Sequence, residues 1–342
     1  MKIEKEYLNV LEFAKKILEI PSPSGYTKDA MDFLIAEATK RGLDAKLEKS
    51  GSLVVPLKGK TDKVLCLGAH VDTLGGIVRA INSDGTLRFS VLGGPILPTY
   101  DGEYCYIFTR TGKRYTGTFL SDSPAVHVYD NARTLERDID HMHVRIDEVV
   151  HNRSDVEKLD IANGDFIALD PKTVILPSGY IKSRFLDDKL SVAILFGLID
   201  YLQKENITPS YTLKFVFSAY EEVGFGSSHI PECDEFIAVD MGCVGWDLDG
   251  SEEKVSICAK DAAGPYDYDV TTKLINLAKD AKLDYAVDIF RHYSSDVSAA
   301  LKAGNNFKGG LIGSGVAASH GMERSHVNGV KNTLELLKLY VK

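Results

Sequence analysis

The sequence lacks long apolar runs and any excess of positive charge. No stretch reaches the 18 or more apolar residues of a membrane-spanning helix, and the amino-terminal segment has no signal-peptide core. The net charge is -9, from 40 Lys and Arg against 49 Asp and Glu, without a long basic cluster. An acidic chain of this kind is a poor ligand for phosphate backbones. We therefore expect a soluble protein with no membrane and no nucleic-acid partner.

Paired cysteines and phosphate-binding motifs are also missing. The five cysteines stand apart, at positions 66, 105, 233, 243 and 258, and none belongs to a C-x-x-C pair. An odd, dispersed set is typical of free thiols in a reducing compartment, which predicts a cytoplasmic protein. No G-x-x-x-x-G-K-[ST] loop occurs, so the sequence gives no indication of a nucleotide-binding P-loop.

Both ends of the chain alternate helical and extended patterns. Apolar residues recur at helical spacing over 3–19 and 28–41, and the apolar run 63–73 is typical of a buried parallel strand. The alternation returns later, with extended runs at 211–219, 235–241 and 285–290 and helical runs at 190–205, 269–282, 295–304 and 330–342. Strands that alternate with helices predict an α/β fold, a mainly parallel sheet flanked by helices.

The middle of the chain has a different texture. Between residues 74 and 178 the sequence becomes rich in Gly, Pro, Thr and Tyr, and short alternating runs are separated by turn pairs such as Asp84-Gly85. This pattern predicts a small all-β module of the barrel or sandwich type. We therefore expect a catalytic α/β domain, 1–73 plus 179–342, interrupted by a β-barrel-like insert, 74–178.

Acidic and histidine side chains follow the apolar runs of the α/β part. Ligands bind beyond the carboxyl ends of strands in open parallel sheets, so residues at these points are candidates for a site. The candidates are His70 and Asp72, Asp187 and Asp188, Glu221 and Glu222, Asp240, and near the carboxyl terminus His320 and His326. Carboxylates and imidazoles together suit Zn²⁺, Co²⁺ or Mn²⁺. So many carboxylates at one edge repel each other unless cations compensate them, and two divalent ions would do so.

Each candidate has a simpler interpretation when it stands alone. A Glu-Glu pair is usually solvated, Asp240 could cap a turn, and Asp187-Asp188 could be the N-cap of the helix near Leu190. Only their occurrence in order, each after an apolar run, favours a shared site over these separate roles.

Three other groups fit structural roles better. His141 and His143 would share one face of a strand without a carboxylate cage. Ser294-Ser295-Asp296 resembles a helix N-cap, although it could also border a substrate pocket. Cys243 follows Asp240 closely but has no evident paired base, so a buried thiol is the better interpretation.

The motifs HVDTLGG, FLDDK, YEEVG and AVDMG, with a Gly/Ser-His segment near the carboxyl terminus, resemble a known family. They are similar to the co-catalytic metallo-aminopeptidases of the TET or glutamyl-aminopeptidase type, metallopeptidase family forty-two. Their order spans almost the whole chain. The resemblance implies the di-zinc aminopeptidase (phosphorylase/hydrolase-like) fold and the following roles: His70, Asp187, Glu222, Asp240 and His320 as metal ligands, with Asp187 bridging, Glu221 as general base and Asp72 as catalytic support of His70.

The last ligand is the least clear of the set. His320 keeps the small-residue approach and has Glu323 close behind, whereas His326 follows Arg324. We prefer His320 and keep His326 as the alternative. Two further departures concern substrate preference, because Thr73 stands where many relatives carry Glu, and Asp188-Lys189 replaces a more usual Asp-Arg.

The resemblance implies a metal-dependent aminopeptidase that removes N-terminal residues from peptides. A hydroxide shared by two metal ions, Zn²⁺ or Co²⁺ with Mn²⁺ as a further candidate, would attack the peptide carbonyl with help from Glu221. The alternatives are a deacylase or dipeptidase on the same scaffold, and a non-catalytic metal-binding assembly protein.

The resemblance also implies a homo-oligomer of up to twelve subunits with contacts through the insert. The aromatic residues of the insert fit either an interface or its own core: Tyr100, Tyr104, Tyr106, Phe108 and Tyr115.

Overall fold

A twelve-stranded sheet forms the centre of the α/β part. The computed structural model describes residues 4–342. The strands of this sheet, numbered with those of the barrel in chain order, are β1 Lys46–Leu47, β2 Leu53–Leu57, β3 Val64–His70, β10 Val174–Ile175, β11 Tyr180–Ser183, β12 Thr212–Ser218, β13 Glu235–Val239, β14 Gly242–Val244, β15 Val255–Lys260, β16 Tyr285–Ile289, β17 Lys308–Ala317 and β18 Glu323–His326.

The centre of the sheet is parallel, and both ends of its main strand order are antiparallel. Strands β12, β3, β13 and β17 lie side by side in parallel, whereas β2 on one side and β18, β11 and β10 on the other pair antiparallel. The central strands are continuous apolar runs because both of their faces are covered. The predicted α/β class is confirmed, with a mixed sheet in which the parallel part is the core.

The helices lie on both faces of this core. They are α1 Lys5–Leu18, α2 Lys28–Lys40, α4 Leu186–Lys204, α5 Tyr268–Asp280, α6 Asp296–Lys302 and α7 Val327–Tyr340, whereas the short helix α3 Arg153–Glu157 belongs to the barrel segment described below. Helices α1, α4 and α7 pack together on one face, where alternate strand residues such as Leu67 and Phe217 join the larger apolar cluster. Residues of the opposite strand face, such as Cys66 and Phe236, join a second cluster with Val297 of α6.

Helix α4 is buried from Leu186 to Ile199, which fits the mostly apolar sequence of its middle part, 190–199. Across residues 4–342, the structure contains no helix with the length and apolar character needed to cross a membrane.

A closed six-stranded barrel lies between β3 and β10 in the chain. Its strands are β4 Gly75–Ile81, β5 Leu87–Leu92, β6 Tyr104–Phe108, β7 Arg114–Ser121, β8 Met142–Ile146 and β9 Phe166–Leu169. Phe89 and Phe119 meet edge to face inside the barrel, with ring centroids 4.9 Å apart. Of the aromatic residues in this segment, Tyr100 is buried while Tyr104 is 63% exposed, so they divide between core and surface.

Candidate active site

His70 is the last residue of β3, and its ring is held in a defined tautomer. Its Nδ1 lies 2.9 Å from the backbone oxygen of Asp72. A carbonyl oxygen can only accept, so Nδ1 carries the hydrogen and Nε2 presents a lone pair. This Nε2 lies 3.0 Å from Asp187 Oδ1 and 3.7 Å from Glu221 Oε2. The imidazole therefore offers a metal-ligating nitrogen among carboxylates.

Asp187 lies between two imidazoles. Its Oδ1 is next to His70, and its Oδ2 lies 3.6 Å from His320 Nε2. The residue follows the antiparallel strand β11 at the start of α4, where its backbone is not helical. The interpretation of Asp187-Asp188 as a plain helix N-cap is therefore incomplete, because the Asp187 side chain reaches the site. A carboxylate with one oxygen toward each imidazole has the arrangement expected of a ligand shared by two ions.

His320 occupies the turn between β17 and β18, with a left-handed backbone (φ 64°). Its Nδ1 lies 2.8 Å from the carbonyl oxygen of Gly94, which again leaves Nε2 as the free nitrogen. That Nε2 is 3.6 Å from both Asp187 Oδ2 and Glu222 Oε2. A left-handed non-glycine residue at a site is held there by its surroundings, and here Glu323 Oε1 accepts from the His320 backbone N–H at 3.1 Å.

His326 has a different role. Its Nδ1 accepts from the backbone N–H of Asn328 at 3.1 Å, which caps α7, and its Nε2 donates to the Ser178 carbonyl at 3.1 Å. The ring also packs edge-on against Tyr180. Both nitrogens are engaged away from Asp187, so of the two histidines the structure brings His320 to the site.

Asp72 holds the turn that carries the two glutamates. Its Oδ1 accepts from the Glu221 backbone N–H at 3.1 Å and its Oδ2 from that of Glu222 at 3.3 Å, at the start of the helical turn Glu221–Val223. Ser24 Oγ donates to the same carboxylate, which also lies 3.6 Å from His70 Nδ1. Ser24 was not identified from the sequence.

Two groups of side chains offer donor atoms close enough for a metal ion. One consists of His70, Asp187 and Glu222, and the other of His70, Glu221 and Asp240, with the donor atoms of each within 4.8 Å of one another. Every sequence-predicted ligand except His326 thus lies in or beside one cluster. Glu221, predicted as the base, is also within reach of an ion.

The charges of this cluster favour bound cations. Burial raises the pKa of Asp240 to about 7, with the charge of Asp187 adding to the effect, and burial likewise raises the pKa values of Glu221 and Glu222. Burial opposes ionisation of Asp187 too, but the neighbouring imidazoles of His320 and His70 lower its pKa. Glu222 Oε1 is buried without a hydrogen-bond partner. Carboxylates in excess, two free imidazole nitrogens and an orphaned oxygen fit divalent metal ions.

The second residue of the Asp187-Asp188 pair supports the first histidine from behind. Asp188 Oδ2 accepts from the His70 backbone N–H at 3.2 Å. Lys189, next along the chain, points elsewhere, because its Nζ donates to the Ile20 carbonyl at 2.6 Å. Burial lowers the pKa of Lys189 to about 7. The replacement of the more usual Asp-Arg by Asp-Lys therefore lies behind the site and not in its opening.

Two residues of the segment 293–296 also border the site. The Tyr293 hydroxyl is buried beside the Asp240 carboxylate without a well-aligned hydrogen bond. Asp296 accepts from Ser218 Oγ at 2.5 Å and from the Ser227 backbone N–H at 2.9 Å, so it braces the loop after β12. Tyr293 was not identified from the sequence, because no local pattern places a lone tyrosine beside a strand end that is more than 50 residues away in the chain.

The remaining candidates lie in ordinary structural settings. His141 pairs with Asp138 and His143 with Asp122, each at 2.8 Å, so the two rings face different carboxylates on the barrel. Burial raises the pKa of Cys243 to about 12, which keeps its thiol protonated at neutral pH.

Comparisons with known proteins show which family the chain is similar to. The family model described as M42 glutamyl aminopeptidase matches residues 51–336. YhfE of Bacillus subtilis (strain 168), provisionally named an aminopeptidase, is 44% identical over 335 residues, 97% of each chain. A TET aminopeptidase from a marine sediment Thaumarchaeota archaeon has the same fold, with a TM-score of 0.88 at 18% identity over 97% of this chain and 96% of its own. The dodecameric PhTET1-12s gives a TM-score of 0.85 at 21% identity over 99% of each chain.

Proposed function

Because the chain belongs to the M42 glutamyl aminopeptidase family and is a metal-dependent aminopeptidase, we propose that the clustered side chains form its two-metal active site. His70 and Asp240 would hold one ion, Glu222 and His320 the other, and Asp187 both. The observation that carries this assignment is Asp187 between two imidazoles, each with its far nitrogen hydrogen-bonded to a backbone carbonyl.

Divalent ions in such a pair polarise a carbonyl and lower the pKa of water. The chain supplies the proton transfer. Glu221 Oε2 lies 3.7 Å from His70 Nε2, at the edge of the cage and on the same helical turn as Glu222. The Glu221 carboxylate accepts a proton from the attacking water and then donates it to the leaving amine, the role of a general base that becomes a general acid. The pKa of the Glu221 carboxyl is raised, first by burial, and a raised pKa favours acceptance of a proton from water.

Asp72 is a positioning residue in this scheme. It receives both glutamate backbone N–H groups, and the backbone carbonyl of the same residue fixes the His70 tautomer. Together with Asp188 on the backbone N–H of His70, it keeps the base and the first ligand at a fixed separation. Buried support of this kind reduces the reorganisation needed when substrate binds.

The test compares two adjacent glutamates. We expect Glu221→Gln to retain both metal ions by elemental analysis and to lose at least about 100-fold in kcat, the scale of general-base catalysis. Glu222→Gln, the matched control one residue along, should lose metal as well as activity. Full activity of metal-loaded Glu221→Gln, or unchanged metal content in Glu222→Gln, would contradict the assignment.

Zn²⁺ or Co²⁺ is the metal that we propose, with Mn²⁺ as a further candidate, because the ligands mix imidazole with carboxylate. The five free cysteines support a cytoplasmic location. Metal stripping and reconstitution with each ion, followed by aminoacyl-arylamide hydrolysis, tests the metal.

The assembly proposed is a homo-oligomer, up to a dodecamer like PhTET1-12s. Exposed apolar residues of the barrel segment support contacts there: Val126, Val128 and Val149 are 43%, 73% and 88% exposed. Sedimentation of the full chain, compared with a variant in which Val128 and Val149 are replaced by Lys, tests this. If that variant keeps the mass of the native assembly, the barrel segment does not form the subunit contacts.

A further inference from the structure

A cavity of about 500 Å³ opens directly beside the metal-ligand cluster. Two of its lining residues belong to or touch the cluster: His320, and Tyr293 with its hydroxyl next to Asp240. Gly94, which binds the His320 ring through its carbonyl, lines the same wall. A group held at the cluster could therefore extend into this cavity without crossing solvent.

The inner walls of the cavity are apolar. Met241 and Phe290 are buried there, and Cys243, Leu248 and the ring of Tyr293 are partly buried. These residues join the second core cluster or pack against its edge, apart from Met241, which belongs to the larger one. The walls are therefore backed by packed side chains and have a fixed shape.

The charged residues of the cavity stand at its mouth. Asp247, Arg291 and His292 line it but are exposed, so water solvates them. Among the buried and partly buried lining residues there is no Asp, Glu, Lys or Arg, and the one imidazole, that of His320, faces Asp187 and Glu222. A carboxylate or ammonium group buried in this space would lose its hydration without gaining an ionic partner.

We propose that this cavity receives the side chain of the N-terminal residue of the peptide and selects a large uncharged one, such as Leu, Met or Phe. The inference rests on the proposed function, because an aminopeptidase holds the terminal amine and the first carbonyl at its metals. The side chain between those two groups must then leave the cluster through an adjacent opening, and the cavity walled by His320 and Tyr293 provides one. Each buried methylene strengthens binding, whereas a buried unpaired charge opposes it.

The chain contains its own reporter for this cavity. Trp246, the single tryptophan of the sequence, lines the cavity at its mouth and is 96% exposed. We expect a side chain that enters the cavity to shield part of this indole from water. Intrinsic fluorescence therefore follows occupancy without any turnover.

The first measurement is kcat/KM of the metal-loaded enzyme for a panel of aminoacyl-arylamides. We expect the Leu, Met and Phe substrates to exceed Ala, Glu and Lys by at least about 10-fold, the scale of a few buried methylenes or one unpaired charge. Titration with free leucine should shift the Trp246 emission at concentrations where glutamate and lysine do not. A preference for Glu or Lys in both measurements would overturn the inference.

The second measurement inserts charges into the wall. Leu248→Lys should raise the Glu:Leu ratio of kcat/KM by at least about 10-fold, and Leu248→Glu should raise the Lys:Leu ratio similarly. Leu47→Lys and Leu47→Glu, on the exposed edge strand β1, are the matched controls and should leave both ratios unchanged. If properly folded Leu248 variants keep the native ratios, the cavity does not bind this side chain.

Failure of the inference differs from failure of the proposed function. An enzyme that cleaves no free-amine arylamide, with metal bound, is not the aminopeptidase proposed. An enzyme that cleaves them, but without the expected preference or the Leu248 effect, retains the function and loses only the cavity assignment.

Discussion

The two histidines of the site are held in different ways. His70 ends a central strand, its side chain is 1% exposed, and its backbone N–H is bonded to a buried carboxylate. His320 sits in a turn with a left-handed backbone, its side chain is 34% exposed, and its ring is anchored by Gly94 from the loop after barrel strand β5. One half of the site is built into the sheet and the other depends on contact between the sheet and the inserted barrel.

This difference has a consequence for the two metal positions. Ligands fixed by a packed sheet lose little freedom when an ion binds, whereas a ligand on a turn must be ordered by its neighbours. We therefore expect the position of His70 and Asp240 to bind metal more tightly than that of His320 and Glu222. The following predictions are ordered from the largest effect to the smallest.

Replacing Asp187, the ligand proposed for both ions, should empty both metal positions and so remove the difference between them. Asp187→Ala deletes the one carboxylate that faces both imidazoles, so we expect loss of metal from both positions and a fall in kcat/KM of at least about 1,000-fold. Elemental analysis and arylamide hydrolysis measure the two effects. Asp200→Ala, on the surface end of the same helix, is the control. Retention of one full equivalent of metal in Asp187→Ala would show that the residue is not shared.

Removing each histidine separately tests directly whether the two positions differ in metal affinity. After dialysis against a weak chelator, His320→Ala should retain close to one equivalent of metal per subunit. Under the same conditions His70→Ala should retain less than half an equivalent. Both variants should lose activity, since the reaction requires both positions. His326→Ala serves as the control because its ring caps α7 and should cost only stability. Equal metal loss in His70→Ala and His320→Ala would show that attachment to the sheet does not make one metal position tighter than the other.

The parts of the molecule that were predictable from sequence are those encoded locally. The apolar runs that became β3, β12 and β13 identified His70, Glu221 and Asp240 from their position after each strand. The choice between His320 and His326 could not be made in this way, because both follow β17 within a few residues.

What separates the two histidines is distant in sequence. The Gly94 carbonyl anchors the first ring and the Ser178 carbonyl the second. Ser24 beside Asp72, and Tyr293 beside Asp240, were missed for the same reason. Their roles depend on contacts across the fold that no spacing pattern records, and the antiparallel edges of the sheet likewise depend on pairing between segments far apart.

Glu323 connects the turn of His320 to the sheet side of the site. Its Oε1 accepts from the His320 backbone N–H and its Oε2 from that of Asp187, both at 3.1 Å. Glu323→Gln replaces one of these two acceptor oxygens by an NH₂ group, which then faces a backbone N–H. One hydrogen bond is lost, so we expect the turn to be less well ordered. We expect roughly 10-fold weaker metal binding at the position of His320 and Glu222, measured by chelator competition, and a smaller loss at the other position, because Asp187 serves both. Glu252→Gln, whose partner Arg324 is on the surface beside this turn, should leave the affinity unchanged.

The pH dependence of folding stability should differ between the metal-free and the metal-loaded protein, and we expect this effect to be the smallest. Burial raises the pKa of Asp240 from 3.8 to about 7 and raises those of Glu221 and Glu222. A carboxyl group with a raised pKa binds its proton more tightly in the folded state. Stability is therefore greatest below its unfolded pKa and falls as the pH rises from about 4 to about 7.

Bound cations compensate these carboxylates, so the metal-loaded protein should lack this decline. We expect the Tm of the metal-free protein to fall by at least about 5 °C more than that of the loaded protein between pH 5 and pH 8. Thermal unfolding followed by circular dichroism at both values provides the comparison. Asp240→Asn should flatten the metal-free curve, because it removes a charge that has no cation beside it. A metal-free protein as stable at pH 8 as at pH 5 would mean that the carboxylates are not forced together, and the physical reason for two metal ions would be lost.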